Sequence, residues 1–186
     1  MTRAHRKAPH LSFEFFPPRT PDGVAKLAGT RELLKALAPD FFSVTFGAGG
    51  STRALTLETV QELHAATGIE SAPHLSCIGF SSADIRAVLT QYRAAGIKRI
   101  VALRGDIPSG MVEVGEFRYA NELVEFIRAE HGDWFHIEVA AYPEYHPQAA
   151  SAHADIANFV RKAKAGADAA ITLYFFNPDA YFAFVD

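Results

Sequence analysis

Phe41-Phe42-Ser43-Val44-Thr45-Phe46 runs straight into Gly47-Ala48-Gly49-Gly50-Ser51-Thr52, and a helix-like stretch follows. A short apolar run bounded by glycine reads as a buried strand handing over to a helix. The same succession returns at Leu11-Ser12-Phe13-Glu14-Phe15-Phe16, Ser71-Ala72-Pro73-His74-Leu75 and Arg99-Ile100-Val101-Ala102-Leu103-Arg104. It recurs at Ile137-Glu138-Val139-Ala140-Ala141-Tyr142 and Ala170-Ile171-Thr172-Leu173-Tyr174-Phe175. The starts lie roughly 30 residues apart, the length of a strand, a helix and two loops. Apolar strands alternating with amphipathic helices imply a parallel sheet with right-handed crossovers. Polar or aromatic residues close each run rather than gathering at one switch point, which favours an α/β fold of the (β/α)8 TIM barrel type over an open sheet. A full barrel takes eight units and typically ~250 residues, whereas six units fill these 186 residues. The expectation is an incomplete barrel over 11–186, lacking its last two units and exposing two sheet edges, behind a flexible tail at 1–10.

Helix punctuation supports the repeat. Asp22 is expected to cap the first helix, with Val24, Leu27, Leu33, Leu34 and Leu37 on its inward face. Ser51 or Thr52 opens the second and Gly68 closes it. Ser81 or Ser82 opens the third, which turns Ile85, Val88, Leu89 and Tyr92 inward and stops before Gly96. The helix from about Ser151 carries Ile156, Phe159 and Val160 inward and ends before Gly166. Polar caps before a helix and glycine after it are what its unpaired termini require.

Composition narrows the function. Hydrophobic residues make up 49% of the chain and the net charge is −3, ordinary for a globular domain and lacking the basic face that nucleic acid would need. No apolar stretch approaches the ~20 residues of a membrane span. The basic start has no apolar segment behind it, so it is not read as a secretory signal. A single cysteine, Cys77, excludes an intrachain disulfide and fits the cytoplasm. The eight histidines include no His-x-His pair and no His-Glu-x-x-His, so no metal is expected.

In a barrel of this kind chemistry sits at the C-terminal ends of the strands, where Glu14, Thr45, His74, Arg104-Gly105-Asp106 and Tyr142 fall. Alternation places Ser12, Glu14 and Phe16 on the barrel side and Phe13 and Phe15 toward the helices. A carboxylate desolvated among aromatic groups has a raised pKa and suits proton donation; the alternative is a buried Glu paired with Arg or Lys. The glycine-rich loop at 47–52 lets backbone amides approach phosphate or a flat cofactor, or is only a tight turn; it matches neither a P-loop nor a dinucleotide fingerprint. Arg104 suits an anion contact and Asp106 supplies a second carboxylate, unless the two simply pair. Tyr142-Pro143-Glu144-Tyr145-His146-Pro147 is expected to run extended. Asp155, Asn158, Arg161 and Lys162 share one side of the next helix, as a solvated face or as a grip on the phosphates and ribose of a large cofactor.

Five motifs taken in order resemble those of the bacterial methylenetetrahydrofolate reductase family. They are Ser12-Phe13-Glu14-Phe15-Phe16-Pro17-Pro18-Arg19, the run Ser43 to Thr52, Ala72-Pro73-His74-Leu75, Ala102-Leu103-Arg104-Gly105-Asp106 and Ala140-Ala141-Tyr142-Pro143-Glu144. The resemblance implies a barrel that holds FAD, is reduced by NADH or NADPH, and passes a hydride to 5,10-methylenetetrahydrofolate to give 5-methyltetrahydrofolate. It further implies a homo-oligomer. Glu14 would be the proton donor, and Asp106 would stabilise the cationic pterin and tune the flavin. FAD contacts would come from Thr45, Phe46, His74, Arg104, Gly105, Asp106, Tyr119, Ala120, Tyr142, His146, Ala149, Asp155, Asn158, Arg161 and Lys162, with Thr45 also touching the nicotinamide. Leu173 stands where the family usually has a glutamine that meets the pterin, so weakened folate binding is expected. The other readings are a truncated, catalytically impaired FAD-binding protein, or a barrel aldolase or isomerase, for which no Schiff-base lysine or metal set is visible at a strand end.

Overall fold

The computed structural model describes residues 10–47, 51–106 and 115–186. Ala48, Gly49 and Gly50 of the glycine-rich loop and the tail before His10 lie outside the described residues. In chain order the elements are β1 (Ser12–Phe15), α1 (Pro21–Lys35), β2 (Phe41–Val44), α2 (Arg53–Thr67), β3 (Glu70–Ser76) and α3 (Ser82–Ala94). They continue with β4 (Arg99–Leu103), α4 (Ala120–His131), β5 (His136–Ala141), α5 (Ala152–Lys164), β6 (Ala169–Thr172) and α6 (Pro178–Val185).

All neighbouring strands pair in parallel, in the order β1-β2-β3-β4-β5-β6. Each crossover carries a helix, so the sheet curls with its helices outside, and residues of β1 and of the segment after β6 meet across one concave face. The main core lies between sheet and helices. Phe42, Leu75, Ile100 and Ile137 from the strands pack there against Leu63, Ile85, Leu89, Leu123 and Ile127 from the helices, all fully buried. Phe13 and Phe15 point into this layer, their rings 6.4 and 5.3 Å from that of Phe42, which leaves Ser12 and Glu14 on the concave side.

The N-terminal rim of the barrel is closed by charge. Arg99 donates to Glu70 (2.7 Å) and to Glu138 (2.5 Å) and stacks over Phe41 at 4.6 Å, while His136 Nε2 lies 3.2 Å from the same Glu138. The Glu138 side chain is only 5% exposed, and Arg99 and His136 supply its buried carboxyl with partners.

Several local expectations need correction. Thr20, not Asp22, caps α1: the Gly23 N–H donates to Thr20 Oγ1, and Pro21 starts the helix where no amide hydrogen is needed. Neither α1 nor α5 buries a residue fully. Leu27 and Leu34 reach the core, but Val24, Leu33 and Leu37 stay exposed, as do Ile156 and Val160 on α5, because these helices flank the open edges of the sheet. Residues 142–150 turn rather than extend: the Tyr145 N–H donates to the Tyr142 carbonyl, and that of Ala149 to the His146 carbonyl. His10, placed in the expected tail, contacts the Asp40 carboxylate at 2.9 Å. The third helix follows the expectation: Ser81 and Asp84 form a reciprocal capping box, typically worth ~1 kcal/mol.

Candidate functional site

A cleft of about 630 Å³ opens at the C-terminal ends of the strands. Its wall begins on β1 with Glu14, passes Thr45 and Phe46 after β2, and reaches His74 and Ser76 on β3. Arg104, Gly105 and Asp106 follow β4, Tyr119 and Ala120 open α4, and Tyr142, His146 and Ala149 follow β5. Asp155, Asn158, Arg161 and Lys162 come from α5, and Leu173 from the segment after β6. The structure thus brings Glu14, Asp106, Leu173 and every residue offered as an FAD contact onto one surface. Ser76, Ile78, Asn121, Gln148 and Ile171 share it and escaped notice, because no motif marks them.

Register explains the convergence. Glu14 lies opposite Ser43, Val44 opposite Pro73, and His74 opposite Val101, so the upper turns of the strands are level. β3 runs on to Ser76, which places His74 inside the strand rather than at its end. Its Nε2 lies 3.3 Å from Glu14 Oε2, and the two side chains are 10% and 55% exposed. The carboxyl is therefore well solvated, and its titration shifts opposite to the expected direction. His74 holds Glu14 below the usual glutamate range, through its hydrogen-bonding reach first and its charge besides, outweighing the partial burial that pushes upward. The contact is long for a charge-assisted hydrogen bond, which spans about 2.7–2.9 Å, and buried Nε2 completes no well-aligned bond to the protein.

The strand β4 delivers Arg104 into a bend made by Gly105, whose φ of +85° only glycine adopts without strain. Arg104 does not pair with Asp106: it donates to Gln148 Oε1 (2.8 Å) and to the Gly105 carbonyl (3.1 Å). Asp106 is exposed at the mouth. Under the β2 loop, Thr52 accepts from the Gly47 N–H (2.7 Å), and Thr56 donates to the Thr45 carbonyl (2.9 Å), which fixes Thr45 at the rim.

The turns after β5 are held to α5, where the His146 N–H donates to Asp155 (2.8 Å) and the His146 ring meets Tyr142 edge-on at 4.6 Å. Burial, with the charges of Asp106 and Asp155, pushes the Tyr142 hydroxyl up. Lys162 donates to the Ala140 carbonyl, and its burial lowers the ammonium's pKa. Arg161 donates to Asn158 (2.6 Å). Cations, amides and carboxylates along one helix face beside a flat aromatic group suit an elongated ligand carrying phosphates, hydroxyls and a ring. Among the described residues no three His, Cys, Asp or Glu side chains converge as a metal site, and no helix is long and apolar enough to cross a membrane.

A family model described as methylenetetrahydrofolate reductase matches residues 1–186, the whole chain. The chain belongs to the methylenetetrahydrofolate reductase family. Among the family's curated members, the 5,10-methylenetetrahydrofolate reductase of Pectobacterium carotovorum is 46% identical over 178 residues, and that of Escherichia coli K12 is 45% identical over 179. Each alignment takes in 95% of this chain, which spans 58% of the relative's length. The Arabidopsis thaliana protein named methylenetetrahydrofolate reductase (NADH) 1 is 40% identical, with 32% of its length covered. Solved structures match the fold at low identity. A phosphonopyruvate hydrolase (16% identical) and a Clostridium thermocellum protein that binds two copies of 5-methyl-5,6,7,8-tetrahydrofolic acid (12%) both reach a TM-score of 0.65. They cover 94% and 97% of this chain, and 62% and 59% of their own chains are matched. The family and the parallel strand order together assign the sheet to a partial (β/α)8 barrel.

Proposed function

We propose that this chain forms the flavin-binding face of a reductase that carries a hydride from NADH or NADPH to 5,10-methylenetetrahydrofolate, giving 5-methyltetrahydrofolate in cytoplasmic one-carbon metabolism and methionine biosynthesis. The observation that carries the reading is the convergence of Glu14, His74, Arg104, Asp106 and Tyr142 with the polar face of α5 on one cleft at the strand ends. The donor set fits FAD: a cleft of about 630 Å³ lined by the cations Arg104, Arg161 and Lys162 and the acceptors Asp155 and Asn158. The chemistry that a bound flavin supplies is two-electron hydride transfer.

The residues then divide the remaining work. Arg104, Arg161 and Lys162 offer charge to the diphosphate, and Asp155 and Asn158 offer acceptors to ribose hydroxyls. Thr45, Phe46, Gly105, Tyr119, Ala120, His146 and Ala149 shape the walls, and Gly105 allows close backbone approach. Glu14 delivers a proton to the folate nitrogen that must leave the methylene carbon. Asp106, exposed at the mouth, stabilises the cation so formed.

A second reading, an FAD-binding protein with impaired catalysis, draws on Leu173. It lines the cleft and is 46% exposed, and it cannot donate or accept where the pterin's polar edge would lie. One anaerobic experiment separates the two. The purified protein should absorb at about 450 nm as bound flavins do, lose that absorbance with NADH or NADPH, and regain it with methylenetetrahydrofolate. Bleaching without recovery favours the binding protein; no bound flavin overturns both.

A further inference from the structure

We infer that His74 is the proton reservoir for Glu14, the two side chains holding one proton between them. The inference rests on the proposed role of Glu14 as proton donor and resolves a conflict within it. A donor must carry a proton when substrate arrives, yet this carboxyl is more than half exposed and sits beside an imidazole that favours its ionised form. A solvated glutamate at neutral pH is a carboxylate and has nothing to give. The proton must lie next to it.

His74 is placed for that task. Its Nε2 is buried, has no well-aligned partner among the described residues, and lies 3.3 Å from Glu14 Oε2. It sits on β3, two strands from Glu14, and its backbone is fixed in a strand paired to β4. The other groups around the pair do not take over this role. Among the described residues, the segment after β2 offers uncharged Thr45 and Phe46; β3 itself adds Ser76; Arg104 and Asp106 stand at the end of β4, Tyr142 beyond β5, and Asp155 and Lys162 on α5. Among the described residues, His74 is the group in contact with the Glu14 carboxyl, at 3.3 Å.

The step balances with one proton and no electrons. The Nε2–H bond of the His74 imidazolium breaks, its proton passes to the Glu14 carboxylate, and the carboxyl so formed gives a proton to the substrate nitrogen. The net change is one N–H bond lost at His74 and one gained on substrate, with Glu14 again a carboxylate. Solvent at the open mouth then reprotonates the imidazole. His74 acts on substrate only through Glu14.

The test follows the Glu14 carboxyl carbon by NMR in protein labelled at the glutamate carboxyls, with the signal assigned by its loss in Glu14→Gln. In the wild type the midpoint should fall below that of an ordinary glutamate, and His74→Gln should raise it; His74→Asn serves if the first variant folds poorly. In the same variants, substrate-dependent flavin reoxidation near neutral pH should slow about 10- to 100-fold, and its pH profile should follow the carboxyl alone. A Glu14 midpoint unmoved by either substitution, or one already ordinary in the wild type, overturns the reservoir whatever the enzyme does. A midpoint that moves in a protein unable to reduce folate leaves the pair standing and removes the reductase reading instead.

Discussion

Gly105→Ala is the sharpest structural perturbation available at the cleft. An alanine there must hold a φ of +85°, which costs an L-residue roughly 1–2 kcal/mol. Its Cβ would also lie 2.9 Å from Ser76 Cβ and 3.0 Å from Ile78 Cγ2, in a packed region with little room to yield. Overpacking of that kind adds about 1–3 kcal/mol, so the substitution should destabilise the protein by about 2–5 kcal/mol. At a few degrees per kcal/mol for a chain of this size, the melting temperature should fall by roughly 5–20 °C. Gly29→Ala is the matched control: it lies inside α1 with nothing within 4 Å of the new methyl, and should gain ~0.5–1 kcal/mol. Urea unfolding of both variants beside the wild type reads the two signs in one assay. If Gly105→Ala melted with the wild type, or if both alanines shifted stability alike, the account of the β4 bend would be wrong.

Other expectations follow from the same geometry. Arg99→Met should cost about 3–5 kcal/mol in denaturant unfolding, since Glu138 keeps only His136 as a partner, and adding Glu138→Leu should restore much of the loss. Leu173→Gln should tighten folate binding roughly 5- to 30-fold by calorimetry, an added hydrogen bond of about 1–2 kcal/mol, while FAD affinity stays constant. Burial pushes the Cys77 thiol up to about 12, so a colorimetric thiol reagent at pH 8 should leave the native protein untouched and label it fully once unfolded.

Much of the fold is legible because it is repetitive. Six apolar runs and their glycine-closed helices mark a parallel sheet, and Glu14, Thr45, His74, Arg104, Tyr142 and Leu173, near or just beyond the strand ends, line the cleft. What stays hidden depends on partners far along the chain. The titration of Glu14 reverses direction because His74, sixty residues on, reaches it across β2. Arg104 turns to Gln148 rather than to neighbouring Asp106, and only the folded turns after β5 bring that amide near. The apolar pattern of α1 and α5 records faces suited to burial, but not whether a neighbour covers them; at the open edges of the sheet none of the described residues does so fully. Thr20 displaces Asp22 as cap because Pro21 fixes the first helical residue.

The most direct test of the central idea, that the cleft at the strand ends holds a flavin, is an FAD titration by fluorescence quenching on the wild type and on Ala149→Trp. The indole would fill the cleft wall without touching the core between sheet and helices. Affinity should drop about 100-fold or more, some 3 kcal/mol, with an unchanged melting temperature. Equal FAD affinity in the two proteins would contradict the account, because the flavin would then lie somewhere other than this cleft.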